Sequence, residues 1–273
     1  MTEGSAVTPN DPRSQTFGEI AGDYERFRPG PPETLVDWML PGHVTAVVDL
    51  GAGTGALTRM LIARADEVVA VEPDARMRDE LRRLVPQARA LEGRGESIPL
   101  PDHSVAAVLA SSSWHWMDPI PTLHEVARVL EPGGWLGAVW SGPDPDGALL
   151  VQARELLSQG GSVPSGGDAI RSDEFTSLIQ GDGNRPAASF EIPAGVPFGQ
   201  PEHQVLLWDV ALNADELIGL LGTFSWIILL SGAEKDRLFS EARRILSELL
   251  GVEGEVTIDV GFRAEAWRCQ RNG

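Results

Sequence analysis

The sequence predicts an α/β fold, a mostly parallel sheet with helices on both faces. Three observations predict it. Between residues 44 and 140, short apolar runs alternate with stretches of helical period. The runs are apolar at consecutive positions, as strands buried on both faces are. A glycine-rich turn, Gly51-Ala52-Gly53-Thr54-Gly55, ends the first run where a helix must begin. Right-handed crossovers then set the direction of winding.

The elements follow in order. Residues 15–28 carry Phe17, Ile20, Tyr24 and Phe27 at helical spacing, closed by Pro29-Gly30-Pro31-Pro32. A second helix is expected over 35–40, with prolines at its start where they are tolerated. Strands are expected over 44–50, 67–72, 88–91, 105–110 and 135–140. Helices are expected over 56–65, 74–85 and 119–130. After Ser141 the character changes. A helix is expected over 149–157, and the Gly/Ser/Asp-rich stretch 160–183 reads as a loop or a broken helix. A strand is expected over 204–211. Asn213-x-x-Glu216 and Ser231-x-x-Glu234 open two further helices as capping boxes. Residues 255–268 alternate in part and read as a final strand or hairpin. The parsing is a tail over 1–14, an N-terminal cap over 15–43, a nucleoside-binding half over 44–142, and a lid with the remaining strands over 143–273.

Composition bounds the function. The charge is 22 − 40 = −18, so nucleic acid and anionic membranes are poor partners. No apolar run approaches the roughly 18 residues of a membrane span. Residues 1–14 lack the basic and apolar regions of a signal peptide. The single cysteine, Cys269, suits a reducing cytoplasm. No His/Cys/Asp cluster has metal-ligand spacing, so no metal is expected. The expected partner is a small molecule, with the chain a monomer or homodimer.

The chemistry is carried by the turn from Asp49 to Gly55. Glycines there permit positive φ and let a ligand approach the backbone. Glu72 stands 21 residues after Gly51, at the end of the next strand. An acid at that spacing accepts hydrogen bonds from ribose hydroxyls. The spacing also satisfies Gly-x-Gly-x-x-Ala, so these residues alone leave NAD(P) open.

Other motifs sharpen this. Val71-Glu72-Pro73-Asp74-x-x-Met77, the stretch from Glu96 to Asp102, Trp114-His115-Trp116 and Leu130-Glu131-Pro132-Gly133-Gly134 follow in order. With the glycine turn, they resemble class I S-adenosylmethionine (SAM)-dependent methyltransferases. The closer resemblance is to the small-molecule branch of trans-aconitate methyltransferase-like enzymes. It covers residues 17–140 well and 204–268 loosely. It implies a Rossmann-like methyltransferase fold with a seven-stranded sheet and a helical lid. It implies SAM as cofactor and S-adenosylhomocysteine as product. It implies that Asp49 binds the cofactor, that Gly51, Ala52 and Gly53 serve the methionine part, and that Glu72 holds the ribose. Pro73 and Met77 would flank the adenine, with Gly95 and Glu96 at its edge. Ser111 would lie near the sulfonium, and Tyr24 and Arg28 would close over the cofactor. Departures at Pro31, Arg94 and Ser112 border the substrate, so an acceptor other than the branch's usual one is expected.

Methyl transfer from a sulfonium needs mainly alignment and exclusion of water. A carboxylate acceptor needs no base, whereas a hydroxyl or phenol benefits from one. His115 is the candidate, as base or as substrate-positioning residue. Trp114, Trp116, Trp140 and Trp226 are expected to line an apolar pocket. The alternatives weighed are a repurposed SAM-fold protein without methyl transfer and an NAD(P)-dependent oxidoreductase.

Overall fold

A computed structural model describes residues 30–148, 151, 190–223, 227, 230–251 and 253–272. The expected helices over 15–28 and 149–157 and the loop over 160–183 lie outside them, apart from residue 151.

The first strand, β1 (Val44–Leu50), takes the interior of the sheet because its last five residues are all buried. It pairs in parallel with β2 (Ala65–Val71) and β4 (Val105–Ser111). β3 (Arg89–Leu91) extends the sheet beyond β2, and β5 (Leu130–Pro143) continues it beyond β4. The last strand, β7 (Ile258–Gln270), enters antiparallel against β5, and β6 (Glu202–Leu212) pairs antiparallel on its far side. The order is β3-β2-β1-β4-β5-β7-β6, the seven strands implied by the resemblance.

Helices cover both faces. α1 (Glu33–Met39) places Leu35, Val36 and Met39 on one face, against Val47, Leu109, Val139, Ala264 and Ala266. Gly137 lies under α1, and a Cβ there would meet Met39 Cβ at 3.1 Å and Leu109 Cδ2 at 2.7 Å. α4 (Pro119–Val129) covers the other face, where Leu123 and Val126 join Val48, Val108 and Leu136. α2 (Ala56–Leu61) and α3 (Ala75–Leu84) complete the crossovers of the parallel half. α5 (Ala214–Gly222) and α6 (Gly232–Leu250) form a separate apolar cluster with the Val260 and Phe262 region of β7. Both open on the expected capping boxes, Asn213 with Glu216 and Ser231 with Glu234.

Most boundaries fall within two residues of the sequence reading, and three places differ more. α2 stops at Leu61, not 65, because Ala65 is already paired with Val44 of β1. Pairing in the buried sheet outweighs the helical pattern at the end of a short helix. The Pro132-Gly133-Gly134 turn falls within the range of β5, where the β4–β5 register slips between Val105 and Ala107. Gly133 takes φ +78° at that irregularity. The final segment is one long strand, whose hairpin-like partner is β6 rather than a second half of itself.

Candidate active site

The strand order reverses between β1 and β4: the chain first runs outward to β3, then returns to lay down β4 and β5. Such a switch point opens a crevice at the carboxyl ends of the two strands. The glycine turn rims it. Gly51, Gly53 and Gly55 have φ of +71°, +55° and +96°, a region costly for residues with a Cβ. At Gly51 a side chain is also excluded by contact, since a Cβ would lie 2.5 Å from Ser113 Cβ. At Gly53 nothing lies within 4 Å of that position, so the turn faces open space there.

Two buried carboxylates stand at this turn. Glu72 Oε2 accepts the Gly53 N–H at 2.9 Å, and its Oε1 accepts the Asp74 N–H at 2.9 Å. The loop after β2 is thereby tied to the glycine turn. Burial raises the Glu72 pKa against the effect of these two hydrogen bonds. Asp49 accepts from the Thr58 hydroxyl through Oδ2 at 2.6 Å, while its Oδ1 is buried with no partner. Burial pushes its pKa up to about 7; Thr58 opposes the shift and the Glu72 carboxylate adds to it. An unpartnered buried acceptor and a second buried acid, at an open turn, fit a ligand carrying cationic groups and a ribose diol. SAM has both.

Of the residues the resemblance sets beside the adenine, Pro73 is exposed and Met77 is buried in the first turn of α3. Asp74 caps α3, accepting from the Arg76 and Met77 N–H groups. Gly95 is buried, and a Cβ there would meet Met117 Sδ at 2.6 Å and Thr122 Oγ1 at 2.7 Å. The Glu96 carboxylate accepts the Asp118 N–H at 2.7 Å. Its side chain therefore binds the loop after β3 to the turn before α4. Arg128 adds a clamp, donating to the Ile98 and Leu100 carbonyls and to Glu125 and Asp102.

The segment expected to meet the acceptor follows β4. Ser111 ends the strand half-buried, and Ser112 turns the chain at φ +52°. Ser113 donates to the Leu50 carbonyl at 2.6 Å, seating the next residues on the glycine turn. Trp114–Trp116 form a single 3-10 turn. Trp114 is buried against Phe190, with ring centroids 5.2 Å apart. His115 is exposed; its ring lies 4.8 Å from Trp116, and its Nδ1 accepts the Trp140 Nε1–H at 3.2 Å. Trp140 meets Trp267 edge-on at 5.5 Å.

The structure thus brings together Asp49, Gly51, Ala52, Gly53 and Glu72 on the cofactor side, and Trp114, His115, Trp116 and Trp140 beyond Ser111. Tyr24, Arg28 and Trp226 lie outside the described residues. Among the other histidines, His103 precedes β4 at the far end of the sheet and His124 is exposed on α4. His203 stacks on Trp267 at 4.3 Å. Cys269 is buried, its thiol pushed up to about 12 by burial. Sequence reasoning missed Ser113, Met117 and Trp267. The glycines at 51 and 95 were the available signal for the first two, since both must pack against something. The alternation of the last strand was the signal for the third.

Comparisons with known proteins follow this geometry. A family model described as "Methyltransferase domain" matches residues 48–138. An uncharacterised methyltransferase of Mycobacterium tuberculosis is 39% identical over 234 residues, covering 86% of each chain. A malonyl-[acyl-carrier protein] O-methyltransferase of Pectobacterium atrosepticum is 33% identical over 127 residues, covering 44% of this chain and 49% of the relative. A solved structure of a proposed type II methyltransferase from Anaeromyxobacter dehalogenans superposes with a TM-score of 0.55 at 23% identity, covering 90% of this chain and 98% of that one. These relatives carry the class and not the narrower trans-aconitate methyltransferase-like branch.

Proposed function

The chain belongs to the class I SAM-dependent methyltransferases, and we propose that it moves the methyl group to an oxygen of a small organic acceptor. Membership makes SAM the cofactor and removes the NAD(P) reading that the glycine spacing left open. When bound, SAM supplies an activated methyl group on a sulfonium, so the protein's share is alignment and exclusion of water.

In this reading Gly51, Ala52 and Gly53 run beneath the methionine part and Asp49 Oδ1 answers its ammonium. Glu72 accepts from the ribose. Pro73 and Met77 flank the adenine, Gly95 and Glu96 pass its edge, and Ser111 stands nearest the sulfonium. Tyr24 and Arg28 close over the cofactor. Trp114, His115, Trp116, Trp140 and Trp226 line the acceptor side. One observation carries the proposal. Ser113 seats the Trp114–Trp116 turn directly on the Gly51 turn, which supports an indole-rich wall beside the reacting methyl group. An apolar wall with few polar groups suits a small organic molecule. Similarity to an O-methyltransferase over 44% of this chain supports oxygen as the atom.

The test is turnover with labelled SAM against carboxylates, phenols, alcohols and amines. Label in an ester or ether is expected. Label only in amines or at carbon would overturn the oxygen assignment. Glu72→Ala is expected to weaken SAM binding in calorimetry by about 1–3 kcal/mol, the cost of unmatched buried polar partners. Unchanged affinity would remove Glu72 from the ribose.

A further inference from the structure

We infer that the chain forms a two-fold homodimer through the outer edge of β6, with Leu206 on the axis. This pairing lies at the edge of the sheet opposite β3, and it does not depend on which acceptor the enzyme takes.

β6 is the last strand of the sheet, and β7 takes up one of its two sides. Among the described residues no strand pairs with the other side. An edge of this kind presents a row of N–H and C=O groups that another chain can continue. Folded proteins block such edges with proline, lysine, a bulge or a short strand. β6 uses none of these. It runs for 11 residues, Glu202–Leu212, without proline, lysine or arginine. Its register with β7 continues unbroken from Glu202 opposite Arg268 to Leu212 opposite Ile258. Besides His203, its only ionisable residues are the acids Glu202 and Asp209.

The side chains select the partner. Successive residues of a strand point to opposite faces. Leu206, Trp208, Val210 and Leu212 share one face, are half-buried, and pack into the α1 and α5–α6 clusters of their own chain. His203, Val205, Leu207 and Asp209 share the other face and are all exposed, Val205 by 42% and Leu207 by 59%. An identical strand laid antiparallel about a two-fold at Leu206 sets Val205 opposite Leu207 of the second copy, and His203 opposite its Asp209. By symmetry each pair occurs twice. The aliphatic side chains then cover one another, and Asp209 meets a basic ring. Cross-strand pairs of these kinds stabilise a sheet, whereas like charges directly opposite destabilise it. Neighbouring registers match less well. An axis at Leu207 would set Val205 against Asp209, and one at Val205 would set His203 against Leu207. The strand is therefore complementary to itself in one register, and the two seven-stranded sheets join into one.

Sedimentation of the full chain over a range of concentrations tests this, and a monomer–dimer equilibrium is expected. A monomer at every concentration overturns the inference. Two substitutions then read the register. Within its own chain, Val205→Lys stands opposite Glu265 of β7, and Leu207→Glu opposite Arg263, so the monomer has a partner for each new charge. In the dimer each new charge faces an aliphatic side chain, twice. Each variant alone is expected to raise the dimer Kd at least about 100-fold. Mixing the two variants sets the new lysine against the new glutamate at one pair and leaves Leu207 against Val205 at the other. A heterodimer within about tenfold of the wild-type Kd is expected. A wild-type dimer that neither substitution weakens, or a mixture of two monomeric variants that fails to pair, overturns the inference. Amide hydrogen exchange of the wild type gives a reading that needs no variant. Alternate amides of β6 should slow as concentration rises, while those of β3 at the opposite edge stay unchanged. Exchange in β6 that ignores concentration also overturns the inference.

Discussion

At the scale of single residues, the glycine turn keeps two acids where water is scarce, and this has a consequence for stability. Asp49 has a folded pKa near 7, against 3.8 for the free side chain, chiefly through burial. An acid with a raised folded pKa contributes fully below its unfolded pKa. That contribution is lost as pH rises through the folded value. The free protein is therefore expected to lose stability between about pH 4 and pH 7. Asp49→Asn keeps the size of the side chain and an acceptor for Thr58, and should flatten that slope. The gain above pH 7 is expected to reach the order of 4 kcal/mol, from about three pH units at 1.36 kcal/mol each. Urea unfolding across this range checks it, and parallel curves for the two proteins would refute it. Glu72 is shifted in the same direction by burial, so some slope should survive in the variant. Both acids were legible in the sequence, one inside the glycine motif and one at a fixed spacing from it. Ser113 and Met117 were not. Their importance comes from contact with Gly51 and Gly95, and contact across 22 or more positions leaves no local pattern.

Elements hold these residues in place, and the clearest case is α4. Asp118 caps it by accepting the Ile120 N–H, while Glu96 reaches the Asp118 N–H from the adenine-side loop. About two to three turns further along, Glu125 accepts the Ile98 N–H and Arg128 donates to the Ile98 and Leu100 carbonyls. The helix therefore grips both ends of the loop from Glu96 to Leu100. Arg128→Ala should free residues 97–100 without disturbing β4. The expected outcome is faster amide exchange at Ile98 and Leu100 and a loss of about 1–3 kcal/mol of stability, the range for hydrogen bonds from a charged donor. If exchange there is unchanged, the clamp is dispensable. The helix itself was read from sequence to within a residue, because its apolar period and its Asp-Pro start are local signals. The end of α2 and the start of β5 were not. In both places a neighbouring strand, not the local sequence, decides where pairing begins.

For the whole molecule, cofactor binding and folding are one equilibrium. SAM at 100 times its Kd should add about 2.7 kcal/mol to the stability of the folded state. At about 2–4 °C per kcal/mol for a chain of this order of size, the melting temperature should rise by roughly 5–10 °C. Scanning calorimetry with and without SAM measures this. No shift at saturating SAM would mean that the site is not built into the folded unit. The shift should shrink in Glu72→Ala at the same SAM concentration. The site spans the molecule because the sheet does. β1 and β2 bring Asp49 and Glu72, β4 leads into the His115 turn, and β5 and β7 supply Trp140 and Trp267. The sequence by itself determined the alternating strands and helices of residues 44–140, the cofactor turn with its acid, and the capped helices of the second half. Those features rest on period, spacing and capping, which operate over a few tens of residues at most. Only the tertiary structure decided that β7 inserts antiparallel between β5 and β6, and that Ser113 seats the acceptor turn on Gly51. It alone decided that Trp140 engages Nδ1 of His115. Each of these is a meeting of distant segments, set by which buried surfaces and hydrogen-bonding groups find partners once the chain has closed on itself.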